Sequence, residues 1–157
     1  MNGKIAAGFI VVSAMLAGLA IYYMQEYAYY APVEPASAAA EIRLTALTGA
    51  IEVLPTEGFQ GIDADSSPLR FRACFTTPIS LAMLTETFTE YPAADPLIAP
   101  RQFPCFDAAR IGADLATGTA VAFLSETNIH PGVDRVVAVY PDGQAFAWQQ
   151  LNESAEK

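Results

Sequence analysis

The chain is poor in the residues that do chemistry. Across 157 positions it has one histidine, one tryptophan, two cysteines and eight basic side chains. The lone histidine, His130, lies in Asn128-Ile129-His130-Pro131-Gly132 and cannot build a metal site unless the fold brings Asp, Glu or Cys to it. Hydrolytic chemistry would need a serine beside His130 and a carboxylate behind it. Ser125 and Asp134 are near in sequence, but no G-x-S-x-G elbow frames the serine. The glycines are scattered at turns, so no phosphate-cradling loop is present. Outside the N-terminal apolar run Met83 is the only methionine besides the initiator, which argues against copper handling. Asp63-x-Asp65-x-Ser67 opens with the spacing of a calcium loop. It then puts Pro68 where that loop needs glycine and Cys74 where it needs a bidentate glutamate. Charge pairing with Arg70 and Arg72, or a local turn, is the expected use of these acids. The sequence thus predicts no catalytic residue, no metal and no cofactor.

Basic charge is also scarce. Lys4 aside, the other basic residues of the eight and all 17 acids lie beyond Gln25, so the part after the N-terminal run is one unit more negative than the chain's −9. Such a balance disfavours nucleic acid and anionic surfaces and suits a basic partner, or serves solubility alone.

What the chain does have is a long apolar run. Ile5 to Met24 carries no charged side chain. As a helix it would extend about 30 Å, the thickness of a bilayer's hydrocarbon core, with its backbone polar groups satisfied internally. Residues 1–24 are therefore expected to form a transmembrane signal-anchor, 25–40 a tether, 41–151 one folded domain and 152–157 a disordered tail. Lys4 precedes the helix while Glu26 and Glu34 follow it, which places the N-terminus in the cytoplasm. Tyr22, Tyr23, Tyr27, Tyr29 and Tyr30 crowd the exit, five of the seven tyrosines. They suit either headgroup-level anchoring or a clamp onto the domain. A cleaved signal peptide is the competing reading, since Gly18-Leu19-Ala20 offers a small-x-small cut. Gly3, Ala7, Ala14 and Gly18 share one helical face and would let a partner helix approach closely. Ala6, Ser13, Ala17 and Ala20 share the next.

Both cysteines, Cys74 and Cys105, fall on the far side of the helix. An even count without C-x-x-C predicts a structural disulfide. Alternation at Glu41–Leu47 and Ile51–Val53 predicts a hairpin, and at Leu69–Phe75 a further strand. Thr77-Pro78 reads as a helix start with Ile79, Met83 and Leu84 buried, and Asp107 as the cap of a second helix that Gly118 ends. Thr56–Ser67 and Pro92–Pro104 read as loops. Strands at Thr119–Ser125, Arg135–Tyr140 and Gln144–Leu151, the last two joined by Pro141-Asp142-Gly143, form a closing meander. The fold class expected is α+β: an antiparallel sheet, two short helices and one disulfide behind an N-terminal membrane helix.

The segments DADSSPLRFRACFTTP, SLAMLTET and NIHPGVDRVVAVYPDG carry a resemblance. With the Met-Asn-Gly-Lys start and the tyrosine-rich exit, the chain resembles a family of small alphaproteobacterial proteins with one membrane helix and no assigned function. The resemblance implies a bacterial inner-membrane location with the C-terminal domain in the periplasm, and carries over no catalytic residue. The function expected is a non-catalytic accessory or assembly subunit of a larger inner-membrane complex, a respiratory one for example, reached through the helix. One alternative is a periplasmic ligand-binding or sensing module, with Phe88, Tyr91, Phe103 and Phe106 lining a pocket under the Pro92–Pro104 loop. The other is a hydrolase using Ser125, His130 and Asp134.

Overall fold

The computed structural model describes residues 2–156. The apolar run forms α1 (Gly3–Tyr23), 21 residues with none buried. It is long and apolar enough to cross a membrane. Its one mid-helix hydroxyl, on Ser13, donates back to the Phe9 carbonyl. A single wider turn, Met24–Ala28, continues it.

Beyond it the described residues form eight strands: β1 (Ala31–Pro32), β2 (Arg43–Thr45), β3 (Ile51–Val53), β4 (Glu57–Asp63), β5 (Arg72–Thr76), β6 (Val121–His130), β7 (Val133–Val139) and β8 (Gln144–Leu151). Two helices, α2 (Leu81–Thr87) and α3 (Ala108–Thr117), lie between β5 and β6. Six strands make one antiparallel sheet in the order β1-β4-β5-β8-β7-β6, and β2 and β3 pair as a separate hairpin. The α+β class, the short helices and the Cys74–Cys105 bond are as the sequence leads one to expect.

The sheet is covered on both faces. On one, Phe71, Ala73, Phe75, Val137, Val139, Ala145 and Ala147 pack against the hairpin (Ile42, Leu44, Ala46), Leu84 of α2 and Phe88. On the other, Cys74, Val136, Ala138, Phe146 and Trp148 pack against Ile111 of α3 and Phe103 and Phe106 of the preceding loop. An antiparallel sheet commonly leaves one face in water. Here every residue of β7 is buried, which is why Val136-Val137-Ala138-Val139 reads as an unbroken apolar run.

Several expectations need correction. Strand β4 occupies ground that reads as loop; its pairing with β5 slips between Glu57 and Gln60. Helix α2 starts later than Thr77, because Thr77 still donates its N–H to the Gly143 carbonyl (2.9 Å). The cap is Ser80, whose side chain accepts the Met83 N–H. Met83 consequently points outward, 57% exposed, while Leu84 is fully buried. The tether region is not free of the sheet: β1 pairs with Asp63 and Ile62, and Ala40 is buried. The start of the tail is also tied down, with the Asn152 side chain donating to Asp134 (2.6 Å). The Asp107 cap and the left-handed Gly118 of α3 stand as read.

Candidate functional site: the helix exit and the loop beside it

Three contacts fasten the chain after α1 to the domain. The first is backbone pairing: β1 extends the sheet at the β4 edge, and the Val33 N–H donates to the Gly61 carbonyl (2.8 Å). The approach is close: a Cβ on residue 61 would lie 2.7 Å from the tip of the Phe59 ring and 3.2 Å from the Val33 side chain, so the ring would have to shift. The second is aromatic: the Arg70 guanidinium sits over Tyr29 (5.6 Å) and Tyr30 (5.3 Å), and Tyr30 packs at the margin of the core. In the third, the Arg101 N–H donates to the Glu26 carboxylate (3.0 Å).

The tyrosine belt therefore divides. Tyr29 and Tyr30 clamp the domain through Arg70. Tyr22, Tyr23 and Tyr27 stay exposed and contact one another, with Tyr23 and Tyr27 stacked at 5.8 Å. Gly3, Ala7, Ala14 and Gly18 lie along one side of the continuous α1, and an added Cβ at Gly3 or Gly18 would meet nothing within 4 Å.

The loop that carries Arg101 is held from beneath by Arg72. This side chain is buried, and its guanidinium donates to four carbonyls: Leu69 (2.7 Å), Phe71 (2.6 Å), Leu97 (2.8 Å) and Ile98 (3.2 Å). Burial pushes its pKa down to about 10, still far above neutrality, so the group stays charged. Gln150 fastens the loop's start, accepting from the Asp95 N–H and the Trp148 indole and donating to the Ala93 carbonyl. Cys105 closes its end through the bond to Cys74.

These contacts overturn the aromatic pocket as pictured. Phe88 packs on the opposite face of the sheet, and Phe103 and Phe106 are core. Only Tyr91 of the four lines an open groove, about 420 Å³, whose other walls are Leu115, Gly112, Ala116 and Ala122 among α3 and β6. Nor do Arg70 and Arg72 pair with the Asp63–Asp65 acids. One faces tyrosine rings and the other carbonyls, and the ion pairs among the described residues are those of Arg43 with Glu41 and Glu126. Ser67 instead makes a local turn, accepting the Leu69 N–H. Burial raises the pKa of Asp63, and no cluster of three metal-binding side chains occurs among the described residues.

The Ser125, His130 and Asp134 set is likewise dispersed in its bonding. Ser125 is buried and donates to the Arg43 carbonyl, joining β6 to the hairpin. Asp134 accepts from the Tyr91 hydroxyl (3.0 Å), the Asn128 N–H (2.9 Å) and Asn152 (2.6 Å). His130 is exposed and makes no side-chain hydrogen bond among the described residues. Both hydroxyl and carboxylate are thus committed to holding the fold. Arg70, Arg72, Glu26 and Arg101 are the site residues that sequence reasoning missed. Nothing in one dimension signals that a basic residue will find a ring, a row of carbonyls or a distant carboxylate.

No curated protein and no solved structure matches the chain. Residues 42–157, from the start of the hairpin through the closing meander, match a described family, and the chain belongs to it: the family of unknown function DUF6446.

Proposed function

We propose that this is a non-catalytic accessory subunit of a larger inner-membrane complex, anchored by an uncleaved α1 with its domain in the periplasm. The observation that carries the reading is the nakedness of α1: a 21-residue apolar helix none of whose residues is buried by the rest of the chain. Such a surface is costly in water, and its natural cover is lipid with, along the Gly3–Gly18 stripe, another helix. The disulfide suits an oxidising compartment. The acidic balance of the chain, with 17 Asp and Glu and only Glu41 and Glu126 in ion pairs among the described residues, suits a basic partner such as a soluble electron carrier. Of the one nucleophile-and-base set near in sequence, Ser125 and Asp134 are engaged in bonds that hold the fold.

The test is purification of the tagged full chain from native membranes in mild detergent, with mass spectrometry of what co-migrates. A stoichiometric membrane partner is expected, lost when Gly18 and Ala14 are replaced by leucine. A monomer that brings nothing with it would sink the accessory reading and favour a free-standing binding module.

A further inference from the structure

Ile98 stands out among the apolar side chains of the domain. It is 85% exposed, more than any large apolar residue of α1 itself. A scattered exposed isoleucine is ordinary, but this one is not the tip of a loose loop. Its carbonyl and that of Leu97 are both gripped by the buried Arg72, and Pro100 beside it is buried. The side chain is presented by a fixed backbone. Its place along the chain matters as much. Arg101, three residues on, is bonded through its N–H to Glu26. Glu26 is the first charged side chain after the apolar run and so marks the far edge of any bilayer that α1 crosses. Three residues reach at most about 10 Å, and the headgroup zone adds roughly 5–7 Å beyond the hydrocarbon core.

We propose that the Leu97–Arg101 loop tip inserts Ile98 into the outer leaflet of the bilayer that α1 spans, so that the domain rides on the membrane in one fixed orientation. The proposal rests on the anchor reading of α1. Its occupant is the lipid surface because the loop is bonded at Arg101 to Glu26, which shares a helical turn with the exposed Tyr22, Tyr23 and Tyr27. Two of the chain's few cations, Arg70 and Arg101, also lie at the helix exit of an otherwise acidic domain. An isoleucine flanked by tyrosine and arginine is interfacial chemistry.

The experiment uses the full chain reconstituted in phosphatidylcholine vesicles whose acyl chains are brominated close to the headgroup. Trp148, the only tryptophan and fully buried, supplies an internal control that bromine should leave unquenched. In separate variants Ile98→Trp, Leu16→Trp and Leu47→Trp add a second tryptophan to the loop, to α1 and to the turn after β2. The expected result is loss of the added Ile98→Trp emission with shallow bromine and of the Leu16→Trp emission with bromine at mid-chain, while Leu47→Trp keeps its intensity. An unquenched Ile98→Trp beside a quenched Leu16→Trp overturns the loop contact and leaves the anchor standing. Equal quenching of Leu47→Trp means lipid adsorption without orientation, and also overturns it. An unquenched Leu16→Trp removes the anchor reading, and the loop contact with it.

Discussion

Four carbonyl oxygens converge on one guanidinium at Arg72, and no other described side chain satisfies so many backbone groups. Replacing it with methionine keeps the apolar stem but strands those oxygens under the Pro92–Pro104 loop. Arg72→Met should cost about 2–4 kcal/mol in urea denaturation, against less than about 1 kcal/mol for Arg70→Met, whose partners are an exposed and a half-buried ring. Two tyrosines make a second prediction at this scale. Tyr91 donates to Asp134 and Tyr140 to Asp114, and burial together with these carboxylates pushes both phenols from 10.0 up to about 12. A raised pKa means that the folded state holds its proton longer than the unfolded state. The stabilisation is therefore complete below pH 10 and is lost as pH rises towards about 12. The urea midpoint should fall across that window, and the fall should be shallower in Tyr91→Phe and Tyr140→Phe. The sequence shows neither pairing, because Tyr91 and Asp134 are drawn together only by the course of the chain over the sheet.

Among elements, the turn between β7 and β8 is held from two sides. Gly143 is left-handed (φ 85°), and a Cβ there would stand 2.8 Å from the Thr77 carbonyl oxygen. Gly143→Ala meets both the backbone preference and a backbone atom that cannot swing away. A loss of roughly 1–3 kcal/mol is expected by thermal or urea melting. The sequence announced this turn through Pro-Asp-Gly, and announced α3 through Asp107 and Gly118, because such signals are local. It hid β4, since Gly58 and Gly61 and a slipped register erase the alternation a strand is read by. It hid β1 for a different reason. Two residues beside a proline have no pattern of their own, and become a strand only because β4 offers an unpaired edge. Ser80 lost to Thr77 as the expected cap because Thr77-Pro78 has the stronger local signature, while the bond from Thr77 to Gly143 is a long-range fact.

For the whole molecule, the disulfide ties β5 to the loop before α3 across 31 residues of sequence. Replacing both cysteines with alanine should lower stability by about 3.5–4 kcal/mol on the chain-entropy account, read as a shift in the urea midpoint. The closing meander and the two-cysteine bond are visible from composition and alternation. The joining of the outer hairpin to the sheet is not, because it runs through single contacts such as Thr45 to the Ser125 carbonyl and the bridge from Ala46 to Phe88. The strand order carries a kinetic consequence. β8 sits between β5 and β7, so the half of the sheet made early in synthesis has no partner for its inner edge until Gln144–Leu151 arrives. β4 and β5 must wait for that partner through the whole of α2, the proline-rich loop, α3, β6 and β7. A nascent chain released at residue 143 would hold most of its core residues and both parts of the sheet, β1-β4-β5 and β7-β6, with no strand to join them. Folding should therefore be slow, governed by this one long-range pairing, and complete only after Gln144–Leu151 is made.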